Sequence, residues 1–261
     1  MTSLRIFFIG GLTSYRALFT WLSPWILIPT FLVSPVIQVL LFSYLGRTAG
    51  VGNDRFFLIG NAVQYAAIPC LFAMGNTIGS ERRTQTLGLL LVSPARRVPL
   101  FLGRSLPVIL NGIAVTVFTL AAGALILQVT LPLHSLAPLA LVIAVAAFSC
   151  TGLGLLSAAV SLRVREVAVL SSVFFGILLI FCGVNVPVSA LPGWMHPIAA
   201  GLPMTHGIAA ARTLAGGGSL GSVAGPLLTE LAVGATYVVL GLVVLAVIEK
   251  QSRAHATLEL M

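Results

Sequence analysis

Six long apolar stretches constrain this chain more than any other feature of its sequence. Each is about 20 residues long, the length that an α-helix needs to cross a hydrocarbon core of roughly 30 Å. The stretches run approximately from Pro24 to Leu45, Phe57 to Ile78, Leu106 to Leu127, Ala137 to Leu162, Val167 to Val186 and Pro226 to Ile248. The sequence therefore predicts an all-α membrane protein with six transmembrane helices.

The composition excludes a soluble globular enzyme. Of the 261 residues, 58% are hydrophobic and only 8% are charged, whereas about 25% are charged in an average soluble domain. Six acidic and fourteen basic side chains are too few to cover a soluble protein of this size. The basic residues lie in short clusters between apolar stretches instead of forming a patch on a polar face, so no nucleic-acid partner is expected.

The distribution of positive charge predicts the orientation in the membrane. Eleven of the fourteen basic residues lie before the first span, after the second, after the fourth or after the sixth. Cytoplasmic loops retain Lys and Arg, so both termini are expected in the cytoplasm, and the opposite side keeps Arg47, Arg55 and Arg212. Thirteen of the basic residues are arginine, which is typical of GC-rich bacterial genes and indicates a multi-pass protein of the bacterial inner membrane.

Residues 1–22 carry an amphipathic pattern. Apolar side chains recur every three or four residues and share one face of a helix; they are Leu4, Phe8, Leu12, Tyr15 and Phe19. Such a helix lies in the headgroup plane instead of crossing the bilayer. The alternative is a simple cytoplasmic extension of the first span.

Residues 187–222, between the fifth and sixth spans, are apolar but rich in proline. Prolines at intervals of five or six residues limit helix length; they are Pro187, Pro192, Pro197 and Pro203. Because no complete span fits there, we expect short re-entrant helices that dip into the outer leaflet, with their unpaired backbone shielded by protein or water.

Several polar residues lie within or beside the spans and are candidates for a substrate path. They are Gln38, Asn61, Gln64, Tyr65 and Asn185. Structural hydrogen bonds between helices are an equally good interpretation of each. Glu230 either lies at headgroup level, where its carboxylate suits a nearby helix N-terminus, or lines a cavity. The three cysteines, Cys70, Cys150 and Cys182, are predicted to be small buried side chains.

The sequence lacks the motifs of an enzyme that acts alone. A P-loop needs a G-x-x-x-x-G-K-[ST] pattern, and Lys250, the only lysine, has no such context. The histidines are scattered, so no metal site is predicted, and Ser, His and Asp residues form no recognisable nucleophile arrangement because Asp54 is the only aspartate. We therefore expect no catalytic residue and no cofactor bound by this chain.

Residues 79–105 form an unusual cytoplasmic segment. Charged residues at Glu81, Arg82 and Arg83 precede an apolar run that is too short to span the bilayer and that ends at Pro94. A solvated positive loop would explain the arginines but not the leucines. The pattern favours a short helix along the inner membrane face, free to contact a partner.

Two motifs resemble the ABC-2 type permease family, and the drug- and antibiotic-exporter permeases in particular. The first comprises the charged start at Glu81, then Thr86-Leu87, Leu90-Leu91 and Ser93-Pro94. The second comprises Gly183, Pro187, Leu191-Pro192-Gly193-Trp194, and Leu202-Pro203-Met204-Thr205-His206-Gly207 with Arg212. Gln85 and Gly88 depart from the Gly and Glu that the family often has. The resemblance covers the whole chain as a single transmembrane domain, residues 1–261.

The resemblance implies an export permease driven by a separate protein. Two such chains, identical or related, would join two copies of a cytoplasmic ABC ATPase that binds ATP and Mg²⁺. The first cytoplasmic loop would dock on that ATPase as a coupling helix. By position, the residues that would make this contact are Glu81, Arg82, Arg83, Thr84, Thr86 and Leu87.

Two other classes of function remain open. The first is an ATP-independent secondary carrier or channel, for which Glu230 is the obvious coupling group because ionisable residues are costly within spans. The second is a membrane-embedded transferase acting on lipid, although the expected acid/base pair is missing.

Overall fold

The computed structural model describes residues 29–50, 53–75, 97–161 and 167–255. In these ranges the chain is helical and forms no strand. The α-helices are α1 (Ser34–Thr48), α2 (Asp54–Gln64), α3 (Arg97–Leu127), α4 (Leu136–Ser161), α5 (Val167–Phe181), α6 (Met195–Gly201), α7 (Thr205–Ala215) and α8 (Leu220–His255). Two π-helical turns, Pro29–Val33 and Pro69–Ala73, precede α1 and follow α2, and two 3₁₀ turns lie at Leu133–Ser135 and Val188–Ala190. The predicted interfacial helix at residues 1–22 lies outside the described residues.

Four of the described helical stretches are long and apolar enough to cross a membrane. They are Asp54–Ala73, Ser105–Leu127, Leu133–Ser161 and Leu220–Ile248, and they coincide with the second, third, fourth and sixth predicted spans. The other two predicted spans fall on shorter helices, α1 and α5, of 15 residues each. The all-α membrane fold is therefore confirmed, and the count of six spans stays a prediction.

The end of α5 and the start of α8 are among the helix ends that differ from the predicted span boundaries. The fifth predicted span extends to Val186, but α5 ends at Phe181, and Gly183 then adopts a left-handed φ of +76°. Glycine adopts this conformation without the steric penalty of a Cβ, so the chain leaves the helix there. The helix α8 begins at Leu220, six residues before Pro226. Pro226 is therefore inside the helix, beyond the first four residues whose amides lack intrahelical partners, and it removes the hydrogen bond that an amide there would donate to the Ser222 carbonyl.

The second span lies at the centre of the packing. Asn53 caps the start of α2, where its side-chain oxygen accepts from the Phe56 amide at 2.9 Å, and every residue from 57 to 64 is buried. The regular helix stops after Gln64 and continues through the π-helical turn that begins at Pro69. Proline removes one backbone donor, so this span is interrupted midway along its length.

The helices α4 and α8 pack closely because glycine and serine line their contact. A Cβ atom added at Gly152 would lie 2.7 Å from the carbonyl oxygen of Gly234. One added at Gly234 would lie 2.7 Å from the Cα atom of Ser149. Small residues of this kind let helix backbones approach closely in membrane proteins.

Many of the largest exposed side chains in the described ranges are apolar. On α3, Leu125 is 81% exposed, and on α8, Leu228 and Val239 are 66% and 58% exposed. Water would not favour so many exposed aliphatic side chains on the long helices. These faces are suited to lipid.

The proline-rich region at residues 187–222 forms short helices, as the spacing of its prolines predicts. The helix α6 has seven residues and α7 has eleven. Both are too short to cross a bilayer. Whether they re-enter the outer leaflet remains a prediction.

Candidate functional site

The structure brings all five predicted substrate-path residues together in one hydrogen-bonded network. The Gln38 Nε2 atom donates to Asn61 Oδ1 at 3.0 Å and to Gln64 Oε1 at 3.1 Å. The Tyr65 hydroxyl donates to Gln38 Oε1 at 2.8 Å, and Asn61 Nδ2 donates to Asn185 Oδ1 at 2.8 Å. The network joins α1, α2 and the segment that follows α5.

The polar network is neutral and largely buried. Asn61 and Gln64 are fully buried and Tyr65 is 4% exposed, while Gln38 and Asn185 are half-buried. Among the described residues, Gln64 Nε2 has no hydrogen-bond partner. An unpaired buried amide is costly, so this nitrogen is a candidate donor to a ligand.

The network lies beside the interruption in the second span. Tyr65 directly follows α2, and its amide still donates to the Asn61 carbonyl at 3.2 Å. The next amide, of Ala66, donates to Val63 at 3.0 Å, in the tighter i to i−3 pattern. Further along, the Ser171 hydroxyl donates to the Leu71 carbonyl at 3.3 Å, within the π-helical turn. The polar side chains therefore lie where the backbone of this span departs from a regular helix.

Arg212, near the end of α7, binds three backbone carbonyls. Its Nη1 atom donates to Gly183 at 2.6 Å, and its Nη2 atom donates to Val184 at 2.8 Å and to Phe56 at 3.2 Å. The guanidinium also lies 3.5 Å from the centre of the Phe56 ring, a cation–π contact. Arg212 thus ties the segment after α5 to the beginning of α2.

Glu230 is fully buried and binds the start of α7. Its Oε1 atom accepts from the Met204 amide at 2.6 Å, and its Oε2 atom accepts from the Gly207 amide at 3.0 Å. The first amides of a helix lack intrahelical partners and carry the positive end of its dipole. The carboxylate therefore meets a helix N-terminus, but that helix is α7, while Glu230 itself lies on α8.

The predicted ATPase contacts lie outside the described residues. These residues are Glu81, Arg82, Arg83, Thr84, Thr86 and Leu87, and the description of the chain resumes only at Arg97, the first residue of α3. The last part of the predicted coupling segment, residues 97–105, is therefore helical and continuous with the third span. The contact with an ATPase stays a prediction.

The sequence singled out the five polar residues but predicted neither the network that they form nor the contacts of Arg212. Arg212 counted as one of three basic residues on the outer side and as the last residue of the second family motif. Its partners are backbone carbonyls, and the amino-acid sequence does not indicate which backbone groups a side chain will bind. A basic residue that remains within an apolar, proline-rich segment was the available signal, since an unpaired charge there would be costly.

The long helices with exposed aliphatic faces and a buried polar network define a multi-pass α-helical membrane protein. The family model described as ABC-2 type transporter matches residues 11–215. The chain belongs to the ABC-2 type transporter family, whose members are membrane transport subunits, are not themselves catalytic enzymes, and generally work with an ATP-binding subunit. No curated protein matches the sequence.

Proposed function

We propose that this chain is the permease subunit of an ATP-binding cassette exporter. It moves an amphipathic drug, antibiotic, lipid or glycan-type substrate out of the cytoplasm. The energy comes from ATP hydrolysed by a separate subunit, which also holds the Mg²⁺ ion. The observation that carries the proposal is the family match over residues 11–215, which includes the segment with the predicted ATPase contacts.

The second span is suited to carry force to the polar network. Its inner end leads into residues 76–96, the part of the chain that would dock on the ATPase. Its outer half is hydrogen-bonded to α1 through Gln38 and to the segment after α5 through Asn185. Since these bonds are short and lie in a packed interior, a displacement of the inner end would alter the network. The five network residues would contact substrate during this motion.

The assembly in this proposal contains two permease chains and two ATPase subunits in the inner membrane, with both permease termini in the cytoplasm. The second permease chain is either identical or related. The exposed aliphatic faces of α3 and α8 would contact lipid or the second permease.

Reconstitution with and without the ATPase tests this function. The permease is purified with an ATPase encoded beside its gene and placed in liposomes, and substrate movement is measured with ATP. Replacing Thr86 and Leu87 with glutamate is expected to abolish transport while ATP hydrolysis continues, because the proposed contact would be lost. The control variant carries glutamate at Ser189 and Ala190 instead. Both residues are exposed and lie in the proposed outer region. Unchanged transport without any ATPase would overturn the proposal and favour a secondary carrier.

A further inference from the structure

Two charged side chains, those of the buried Glu230 and the half-buried Arg212, hold α7 near its opposite ends. Glu230 accepts from the amides of Met204 and Gly207 at its start, and Arg212 leaves its last turn to bind the carbonyls of Gly183 and Val184. A charge removed from water needs compensating hydrogen bonds. Here backbone amides and carbonyls supply these hydrogen bonds. Because the amides lie at the start of α7 and Arg212 lies in its last turn, both sets of hydrogen bonds depend on the position of α7.

The start of α7 needs an external partner. Met204, which precedes the helix, has a left-handed φ of +76°, a conformation that is unfavourable for a residue with a Cβ. The helix has only eleven residues, and isolated helices of that length are marginal in water. Because Glu230 satisfies two amides at this end, it compensates for both weaknesses.

We propose that Glu230 is a positioning residue: it fixes α7 so that Arg212 holds segment 182–186 against α2. The same segment carries Asn185, which binds Asn61 in the polar network. The contacts therefore run from the last span, through α7 and segment 182–186, to the second span. Only the consequence for transport rests on the proposed function, because the positioning itself is a property of the permease alone.

The native cysteines provide the test. Cys182 is 1% exposed, and its thiol donates to the Pro203 carbonyl at 3.2 Å. Release of segment 182–186 would expose this thiol to N-ethylmaleimide. Cys70 and Cys150 are also buried, in the π-helical turn after α2 and in α4. They report any general unfolding, since mass spectrometry of the full-length permease resolves labelling at each cysteine.

Two substitutions break the proposed contacts at the two ends of α7. Glu230→Gln leaves one oxygen for two amide donors, because the new amide nitrogen cannot accept. Arg212→Lys replaces the planar fork with a single ammonium group, which cannot reproduce its geometry. The matched controls are Thr229→Val and Thr213→Val, neighbouring exposed residues whose hydroxyls bond only within their own helices.

The rate at which Cys182 is labelled should rise about tenfold to a hundredfold in each variant. This is the effect of losing a hydrogen bond to a charged group. The Cys70 and Cys150 rates and both control variants should stay at the wild-type values. The double variant should label Cys182 no faster than the faster single variant, because both charges act through one helix.

Three results would overturn the proposal. One is an unchanged Cys182 rate in Glu230→Gln. Another is a double variant whose acceleration is the product of the two single effects, which would mean that the charges act independently. The third is equal labelling of all three cysteines, which would mean that Glu230 supports the whole fold and not the position of α7.

A transport measurement separates this inference from the proposed function. In liposomes that contain the ATPase, Glu230→Gln should lower the amount of substrate moved per ATP while Thr229→Val does not. If both variants moved equal amounts of substrate per ATP, the link between Glu230 and transport would be overturned. If transport needs no ATPase, the proposed function fails, but the cysteine labelling still decides whether Glu230 positions α7.

Discussion

The side-chain nitrogen of Asn61 lies 2.8 Å from the side-chain oxygen of Asn185, although the two residues are 124 positions apart in the chain. This bond joins the middle of α2 to the irregular segment that follows α5. Asn61 also donates to the carbonyl of Phe57 at 2.9 Å and accepts from Gln38. Asn61 therefore connects α1, α2 and the segment after α5.

Removing the Asn61 side chain should destabilise the permease. Asn61→Ala leaves the half-buried side chains of Gln38 and Asn185 without one of their partners, which costs about 1–3 kcal/mol in free energy of unfolding. Unfolding in mixed detergent micelles, followed by circular dichroism during an SDS titration, measures this difference. The control is Asn111→Ala on α3, the same change outside the network, which is half-buried. Equal losses in the two variants would contradict a special role for Asn61.

The close contact of α4 and α8 predicts that a glycine within it and a glycine elsewhere respond oppositely to replacement by alanine. Gly234→Ala places a Cβ 2.7 Å from the Cα atom of Ser149, so the helices must move apart, at a cost of about 1–3 kcal/mol. Gly176, in the interior of α5, has no atom within 4 Å of its added Cβ and does not precede a proline. Gly176→Ala should instead stabilise by up to about 1 kcal/mol, because alanine favours the helix. The same SDS titration compares the two, and a Gly234 variant as stable as the wild type would show that this seam tolerates separation.

The sequence predicted the long spans because bilayer thickness and hydropathy act locally along the chain. The second, third, fourth and sixth predicted spans coincide with helices long enough to cross a membrane. The end of the fifth was less accurate, because a hydropathy window does not detect the left-handed turn at Gly183. Similarly, proline at position 226 suggested a helix start, although α8 begins six residues earlier.

The candidate site was predictable in its members but not in its connections. Amide and hydroxyl side chains inside apolar stretches are recognisable from sequence, and Gln38, Asn61 and Asn185 were found in that way. Which of them meet depends on how the helices pack. The partner of Glu230 was hidden for the same reason, since the amides that it binds belong to a different helix.

Backbone conformation predicts a reciprocal pair of stability changes outside the spans. Gln128, which is exposed directly after α3, has a φ of +54°. Gln128→Gly should stabilise by about 1 kcal/mol because glycine adopts this conformation without a Cβ clash. Gly217, with a φ of +94° and open space around it, should lose about 1 kcal/mol as Gly217→Ala. Changes of the same sign in both variants, measured by thermal unfolding in detergent, would contradict this explanation.

Gln64 distinguishes a structural network from one that binds substrate. Its Nε2 atom is buried without a partner among the described residues, while its Oε1 atom accepts from Gln38. Gln64→Met keeps the side-chain volume, loses one hydrogen bond and removes the unpaired donor, so the free energy of unfolding should change by less than about 1.5 kcal/mol. If the nitrogen donates to substrate, the KM for transport should rise about tenfold, the value of one lost hydrogen bond.

Tyr65→Phe is the comparison, because it removes a hydroxyl that already donates to Gln38 at 2.8 Å, and its KM should stay closer to that of the wild type. A Gln64→Met permease with an unchanged KM would place Gln64 in the structural scaffold and remove it from the substrate path.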